Sequence, residues 1–523
     1  VTGALLATTN GTHDVTINSG GTAKIGGAVG SGNPASGLAF RNLTTDEFGT
    51  TEFSANIAAA YQTFNDDLVF TNSLTASGLD ATFDGTVDAN DSNIVLNFTN
   101  TAKINGSSWS NLAALTVNAG TIGLAGTIES SGSQTYNGAV QLNMDAVGDV
   151  ALRGFSLTIP GVINGPGSFV PNFLIDFEDT TAPTSLFGFN NIDNFVSESD
   201  VSLDGTFTNY GTQTFNGNVS LAGDTVLSSA SGVGAVIWNG VDGNSNDLSL
   251  NFSTVTAVDS NYQNLKNLTV NSDASLTGTI STSGFQDYNG TTTLVGDTAL
   301  SATGNVRFGD TLDGSHDLSI EADSGRIDFF GALGSSAPLR SLNLESATAV
   351  EALAPLTIDG AGGSGPGLRV GPNVDNININ TTSDSVIRNA SQDGVLFYGG
   401  SANSTLGNFS IENSGGSGVV ALAGDYTGST FANSTVVGSG ESGLVTVNAD
   451  GFTVNNNTFV ANANHGIRFD AAKNSVAQNN VVGNNGLYGV LVVTSDEFES
   501  TSNISVDNNF IGMNGSGSDD IAP

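Results

Sequence analysis

Cysteine is absent from this chain. That excludes disulfides and thiolate metal sites, so stability has to come from packing and backbone pairing. Basic residues are scarce as well: 12 Lys+Arg stand against 50 Asp+Glu, a net charge of −38 over 523 residues. Such a surface repels nucleic acid and anionic lipid, so no nucleic-acid partner is expected. It attracts cations instead; weak Ca2+ binding to the acidic surface is expected, and no other cofactor. No stretch approaches the ~18 consecutive apolar residues of a membrane helix, and no basic segment precedes a short apolar one in the manner of a signal peptide. Direct membrane insertion of this segment is therefore not expected. Only 10 prolines interrupt the chain, and no convincing amphipathic helix is present.

Charged residues make up only 12% of the chain, so Ser, Thr, Asn and Gly must supply most of its polar surface. Hydrophobic residues are 38% and fall into β-branched, alternating groups, enough to fold rather than stay disordered. In the last third, five glycines each precede an aliphatic or aromatic run: Gly394-Val395-Leu396-Phe397, Gly418-Val419-Val420, Gly443-Leu444-Val445, Gly466-Ile467-Arg468-Phe469 and Gly489-Val490-Leu491-Val492-Val493. Their numbers advance by 24, 25, 23 and 23. A fixed period in this range marks a repeat architecture. A unit of ~23 residues holds about three short strands plus turns, stacked ~4.8 Å apart as parallel strands.

Asparagines keep the same period. Asn457 and Asn480 stand one such period apart, and Asn509 follows after a longer gap, the excess being assigned to the acidic excursion Asp496-Glu497-Phe498-Glu499-Ser500. Stacked asparagines can hydrogen-bond along the axis as a ladder; the alternative is that they face outward and bind sugar.

Upstream a different motif recurs as Gln62-Thr63-Phe64-Asn65, Gln134-Thr135-Tyr136-Asn137, Gln213-Thr214-Phe215-Asn216 and Gln286-Asp287-Tyr288-Asn289, its numbers advancing by 72, 79 and 73. Three copies continue with Gly138, Gly217 and Gly290, an Asn-Gly signal that favours positive φ. The unit of about 75 residues is expected to form about three turns. Its least regular copy, 145–200, carries Pro160, Pro166, Pro171 and Pro183 with Phe155, Phe169, Phe173, Phe177, Phe187, Phe189 and Phe195, and a bulging insertion is expected there. The run Gly360 to Gly367 is either a flexible linker or a wide turn. The fold class is thus all-β, a parallel β-helix or solenoid, with one continuous rod as the simplest form. The regions are 1–355, of β-strand repeats, and 356–523, of rungs that keep the glycine period.

On these residues, about 356–523 resembles the right-handed parallel β-helix family, the pectate-lyase-like superfamily in the broad sense. The closing Asn508-Asn509-Phe510-Ile511-Gly512-Met513-Asn514-Gly515-Ser516-Gly517 resembles a turn of large bacterial surface proteins of this type, in which a further rung usually follows Pro523. That resemblance implies a fragment truncated at its C-terminus; the start at Val1 implies a removed signal or a piece of a longer chain. The upstream motifs Leu115-Thr116-Val117-Asn118, Gly26-Gly27-Ala28-Val29-Gly30 and Gln134-Thr135-Tyr136-Asn137 resemble the repeats of giant bacterial adhesins and filamentous-haemagglutinin-like exoproteins. This resemblance implies a secreted or cell-surface adhesin, stalk or fibre with no catalytic role, self-associating or contacting cell-surface glycans. No catalytic or cofactor-binding residue is assigned.

The competing expectation is a polysaccharide lyase or hydrolase. A lyase of this type wants an Arg or Lys base, and the downstream candidates are Arg369, Arg388, Arg468 and Lys473. His465, Arg468 and Asp470 lie close in sequence, and alternation can put Arg468 and Asp470 on one outward face. An exposed ion pair beside a turn histidine is the simpler reading. A hydrolase needs paired carboxylates ~5–9.5 Å apart, which so acidic a chain can supply. Asp242-Gly243-Asn244-Ser245-Asn246-Asp247 places oxygen ligands at alternate positions like the start of an EF-hand loop. Ser253 stands where the bidentate Glu belongs, however, and Asp88, Asn90 and Ser92 repeat the pattern in an earlier copy, which reads as turn chemistry.

Overall fold

The computed structural model describes residues 1–30, 39–167, 170–232, 234–494, 500–513 and 521–522, and among these every regular element is a β-strand. The chain divides into two compact units, Val1–Thr254 and Val255–Pro523. Each is a parallel β-solenoid. Strands pair in parallel with those one turn earlier and one turn later, and apolar side chains alternate inward.

In the first unit the inward column Gln62, Ala81, Ala102, Ile122, Val140 advances one turn at each step. Three turns from Gln62 end at Ile122 and four at Val140. The next motif copy begins between them, at Gln134, so a copy here spans more than three turns but fewer than four, unlike the three expected. Gln134 consequently stands in a different column, between Leu115 and Leu157, and Gln213 in another, between Phe195 and Val236. The glutamines share a local role: each is buried and bridges a corner. The Gln134 amide donates to Ile128 O at 3.1 Å and Arg153 O at 2.7 Å, and Gln213 to Phe207 O at 3.0 Å and Ser228 O at 3.1 Å. Where the motif carries Tyr, the phenol closes the remaining bond: Tyr136 donates to Gln134 Oε1 at 2.9 Å and Tyr288 to Gln286 Oε1 at 3.0 Å. Where it carries Phe, the oxygens of Gln62 and Gln213 stay buried and unpaired.

Gly138, Gly217 and Gly290 do not take the positive φ expected of an Asn-Gly turn. A Cβ at these positions would lie 2.0, 2.3 and 2.5 Å from backbone of the previous turn, at Ala119, Ser199 and Ser272. Close approach of two chains is the reason for glycine here. The segment 145–200 keeps parallel pairing through Val150–Gly154, Phe173–Phe177 and Phe195–Ser197. Its phenylalanines fill the interior: Phe189 and Phe195 lie 4.8 Å apart, Phe195 and Phe215 5.5 Å. The expected bulge is confined to loops between these strands, with Phe155 and Phe187 exposed.

In the second unit Val395, Val419, Leu444, Ile467 and Val490 stack in one column, so the glycine period is the turn itself. Gly394, Gly418, Gly443 and Gly466 have no positive φ. A Cβ at Gly418 would sit 2.1 Å from Val436 Cγ1 and 2.6 Å from the Gly443 carbonyl oxygen; at Gly466 it would sit 2.2 Å from Val482 Cγ1. The corners are made by asparagine: Asn433, Asn456, Asn479 and Asn508 hold φ between 53° and 57°, which their short polar side chains tolerate. The residue after each turns inward. Asn457 N donates to Asn480 Oδ1 at 2.9 Å, and Asn480 N to Asn509 Oδ1 at 2.8 Å. A second inward ladder joins Ser439 N to Asn462 Oδ1 at 3.0 Å and Asn462 N to Asn485 Oδ1 at 3.1 Å. The asparagines thus form the expected ladder rather than facing out. Gly360 to Gly367 is a wide turn between stacked strands Thr357–Asp359 and Leu368–Val374. Residues 496–499, 514–517 and Phe169 lie outside the described residues.

Candidate functional site

The outer face of the second unit carries one column in which Thr279, Ala299, Ser319, Asn343 and Arg369 follow one another turn by turn. Small side chains at the first positions leave a floor between two walls. A cleft of about 380 Å³ lies over Thr279, Ala299 and Ser319. A second, of about 150 Å³, adjoins it beneath the Gly360–Pro366 turn. Asp317, Ser341 and Asn343 line both.

Charges here are paired. Arg340 donates to Asp317 through Nε at 2.8 Å and Nη2 at 2.6 Å, and to Asp297 at 2.5 Å. Ser341 Oγ adds a bond to Asp317 at 2.7 Å, and His316 Nδ1 lies 3.5 Å from Asp297. The Arg340 bond holds the Asp317 carboxyl below its usual range against partial burial, with Ser341 assisting; the same contact pushes the Arg340 guanidinium up. Arg369 donates to Glu345 at 2.7 Å and Asn343 at 2.8 Å, with its guanidinium 5.3 Å from the exposed Tyr398 ring. The result is a nearly neutral polar strip ending in an aromatic. A strip of this kind can hold a hydroxyl-rich chain by hydrogen bonds and stacking.

Four turns beyond Arg369 the same column reaches Arg468 through Leu396, Val420 and Val445. Arg468 and Asp470 do lie on one side of their strand, and the guanidinium bonds Asp470 at 2.5 Å, but Asp470 is only 3% exposed, so the pair is partly buried rather than the exposed one expected. Their in-register neighbours are Val445 and Leu491, Val447 and Val493, so these paired positions bring no carboxylate beside them. His465 is 8% exposed, accepts from Tyr488 N at 3.3 Å and stacks on the Tyr488 ring. Burial pushes its imidazole down, and Arg468 adds to this. Arg388 bonds Asp359 at 2.9 Å, and Lys473 pairs in register with Asp450. The four basic candidates therefore do not converge.

The turn before the glycine column holds a carboxylate pair that sequence reading missed. Asp393 accepts from Ser417 N at 2.8 Å, and Ser417 Oγ donates to Glu441 at 3.3 Å. Burial raises the Asp393 carboxyl; the Ser417 bond opposes this, and Glu441 adds to the rise.

The Asp242 loop is turn chemistry: Asn244 N donates to Asp242 at 3.1 Å, Asn246 Nδ2 to Leu221 O at 3.1 Å and Asp247 N to Asp224 at 3.0 Å. Asn244 and Ser245 adopt the same left-handed pair of conformations as Asn90 and Asp91 in the earlier copy. Among the described residues no group of three or more His, Asp or Glu is gathered so as to hold a metal ion.

Residues 357–520 match the family model of the right-handed β-helix region. No characterised protein and no solved structure matches the chain.

Proposed function

We propose that this chain is a structural and adhesive segment of a long bacterial protein displayed outside the cell, an adhesin, stalk or fibre, without a catalytic role. One observation carries the reading: the arginines available to a lyase, Arg369, Arg388 and Arg468, each donate to a carboxylate at 2.5–2.9 Å. A base must release its proton, and an adjoining carboxylate stabilises the protonated guanidinium instead. Export fits a cysteine-free, acidic chain. We assign the adhesive contact to the strip from Thr279 to Arg369, with an uncharged cell-surface glycan as its partner; self-association into fibres is compatible with it. Calcium binds weakly and diffusely to the acidic surface in this reading.

A second reading, a glycan hydrolase, is favoured by Asp393, whose raised carboxyl beside Glu441 has the character of a general acid. One experiment separates the two. The whole chain is incubated with neutral and acidic polysaccharides, with and without calcium, and both retention and chain cleavage are followed. Retention lost in Tyr398→Ala and Arg369→Ala, with no cleavage, is the expected result. Cleavage abolished by Asp393→Asn, Arg468→Ala or Asp470→Asn would replace adhesion with catalysis.

A further inference from the structure

The outward column that carries the strip does not end with it. Beyond Arg369 it continues turn by turn as Leu396, Val420 and Val445 before reaching Arg468. Alternation fixes their direction: Val395, Val419 and Leu444 fill the interior beside them, so Leu396, Val420 and Val445 point outward. Next but one along each strand, Tyr398, Leu422 and Val447 form a second outward column alongside. These outward positions on three successive turns carry no charge and, apart from the Tyr398 phenol, no polar side-chain group. Another outward column of the same unit is made differently, with Asp287, Arg307, Asp328 and Glu351 following one another turn by turn.

The apolar stretch is also sunk. Val420 and Val445 are 9% exposed although they point outward, whereas Tyr398 beside them is 52% exposed. At the far end the Arg468–Asp470 pair closes the stretch. Arg369 and Arg468, four turns apart, therefore bound a shallow apolar groove ~19 Å from end to end at ~4.8 Å per turn.

Size and charge decide the occupant. Side chains in two columns over three turns offer on the order of 200 Å², far short of the ~800 Å² per partner of a stable protein interface. A second copy would also bring another net charge of −38 against the first. A slender uncharged chain meets neither obstacle. The order of chemistry along the column then identifies the rest of the ligand. Hydroxyl and amide groups at Thr279, Ser319 and Asn343 give way at Arg369 and the Tyr398 ring to aliphatic carbon from Leu396 to Val445, in one unbroken register.

We propose, resting on the glycan reading of the strip, that its ligand is a neutral sugar chain bearing an alkyl or acyl tail. The sugar lies over Thr279 to Arg369 and the tail in the groove from Leu396 to Val445. Tyr398 stands at the junction and takes a sugar face. The tail leaves water against Val420 and Val445, each buried methylene being worth up to about fourfold in affinity.

The test compares maltotetraose, octyl maltotetraoside below its micelle concentration, and 1-octanol on the full chain by titration calorimetry, with light scattering alongside. Octyl maltotetraoside should bind about tenfold or more tighter than either maltotetraose or 1-octanol. Val420→Thr with Val445→Thr should erase most of that gain and leave maltotetraose binding unchanged. Leu396→Gln, on the half-buried rim, repeats the measurement should the double variant fail to fold. Tyr398→Ala should weaken both sugars. Equal affinity for the two sugars would overturn the tail while leaving the strip intact. Octanol binding as tightly as the octyl sugar would overturn the coupling of the two halves. No binding of either sugar would overturn the strip, and the tail with it. A doubled mass in light scattering, abolished by the valine variants, would give the groove to a second copy instead.

Discussion

The turns between Ile57 and Val236 and those between Leu368 and Val493 solve the same packing problem differently. Downstream, turns of near-constant length keep the glycine column in register, so a residue type recurs at one place and small groups can interlock. Glycine carbonyls face glycine Cα atoms, and asparagine amide oxygens cap the preceding turn's N–H. Upstream, turns are unequal, short from Ile122 to Val140 and long from Gln134 to Leu157, which denies each position a constant neighbour. The interior there is filled by large rings instead: Phe64 stacks on Phe83 at 4.9 Å, and Phe83 meets Trp109 edge-on at 5.1 Å. Polar corners are closed individually by glutamine. Downstream the asparagine ladders run inside; upstream they stay on the exposed face, as in Asn97, Asn118 and Asn137, and bulk fills the interior.

The largest break in this comparison should come from the glycine column. Gly418→Val forces a side chain onto Val436 and the Gly443 carbonyl, and should cost about 3 kcal/mol or more, the upper range for overpacking. Gly161→Ala upstream, with nothing within 4 Å of the added carbon, should stay within about 0.5 kcal/mol. Denaturant midpoints followed by circular dichroism check both; a neutral Gly418→Val would mean the downstream spacing is not set by close approach.

Next comes the asparagine ladder. Asn480→Ala strips the acceptor from Asn457 N and the donor from Val454 O, and should cost about 2–3 kcal/mol because both are buried. The upstream counterpart is smaller. Tyr136→Phe leaves Gln134 Oε1 bare, at about 1–2 kcal/mol, while Phe215→Tyr should gain up to about 1 kcal/mol by pairing Gln213 Oε1. If the two tyrosine–phenylalanine exchanges moved stability in the same direction, the corner account would fail.

The smallest effect is a titration. His465 has a folded-state value below its ordinary 6.5. Between that value and 6.5 the unfolded chain holds the extra proton, so stability is fully present above pH 6.5 and declines as pH falls through the window. The ring protons of His465 in NMR should titrate below the ordinary 6.5, and His465→Gln should flatten the decline.

The downstream fold was legible because its signal is local: glycine before an aliphatic run, and Asn-Asn pairs such as Asn456-Asn457 and Asn479-Asn480. In each pair the first residue bends the chain and the second enters the ladder. Upstream, the Gln-x-aromatic-Asn motif marked a repeat but not its turn count, since Gln62, Gln134 and Gln213 point into different columns. Neither cleft was visible. Asp297, Asp317 and Arg340 are each a whole turn apart in sequence, so nothing local links them. Only register, set by how many residues each intervening loop absorbs, brings them side by side. Asp393 and Glu441 were hidden for the same reason, with Ser417 between them.

The constant downstream turn also has a mechanical consequence. One period of chain folded into one layer adds only ~4.8 Å to the stack, yet the same stretch pulled straight spans up to ~80 Å. Under tension along the stacking direction, a layer that peels away lengthens the tether more than tenfold relative to what it contributed folded, while the layers behind it keep their own ladders. A load is thereby absorbed in discrete steps of extension, one glycine period at a time.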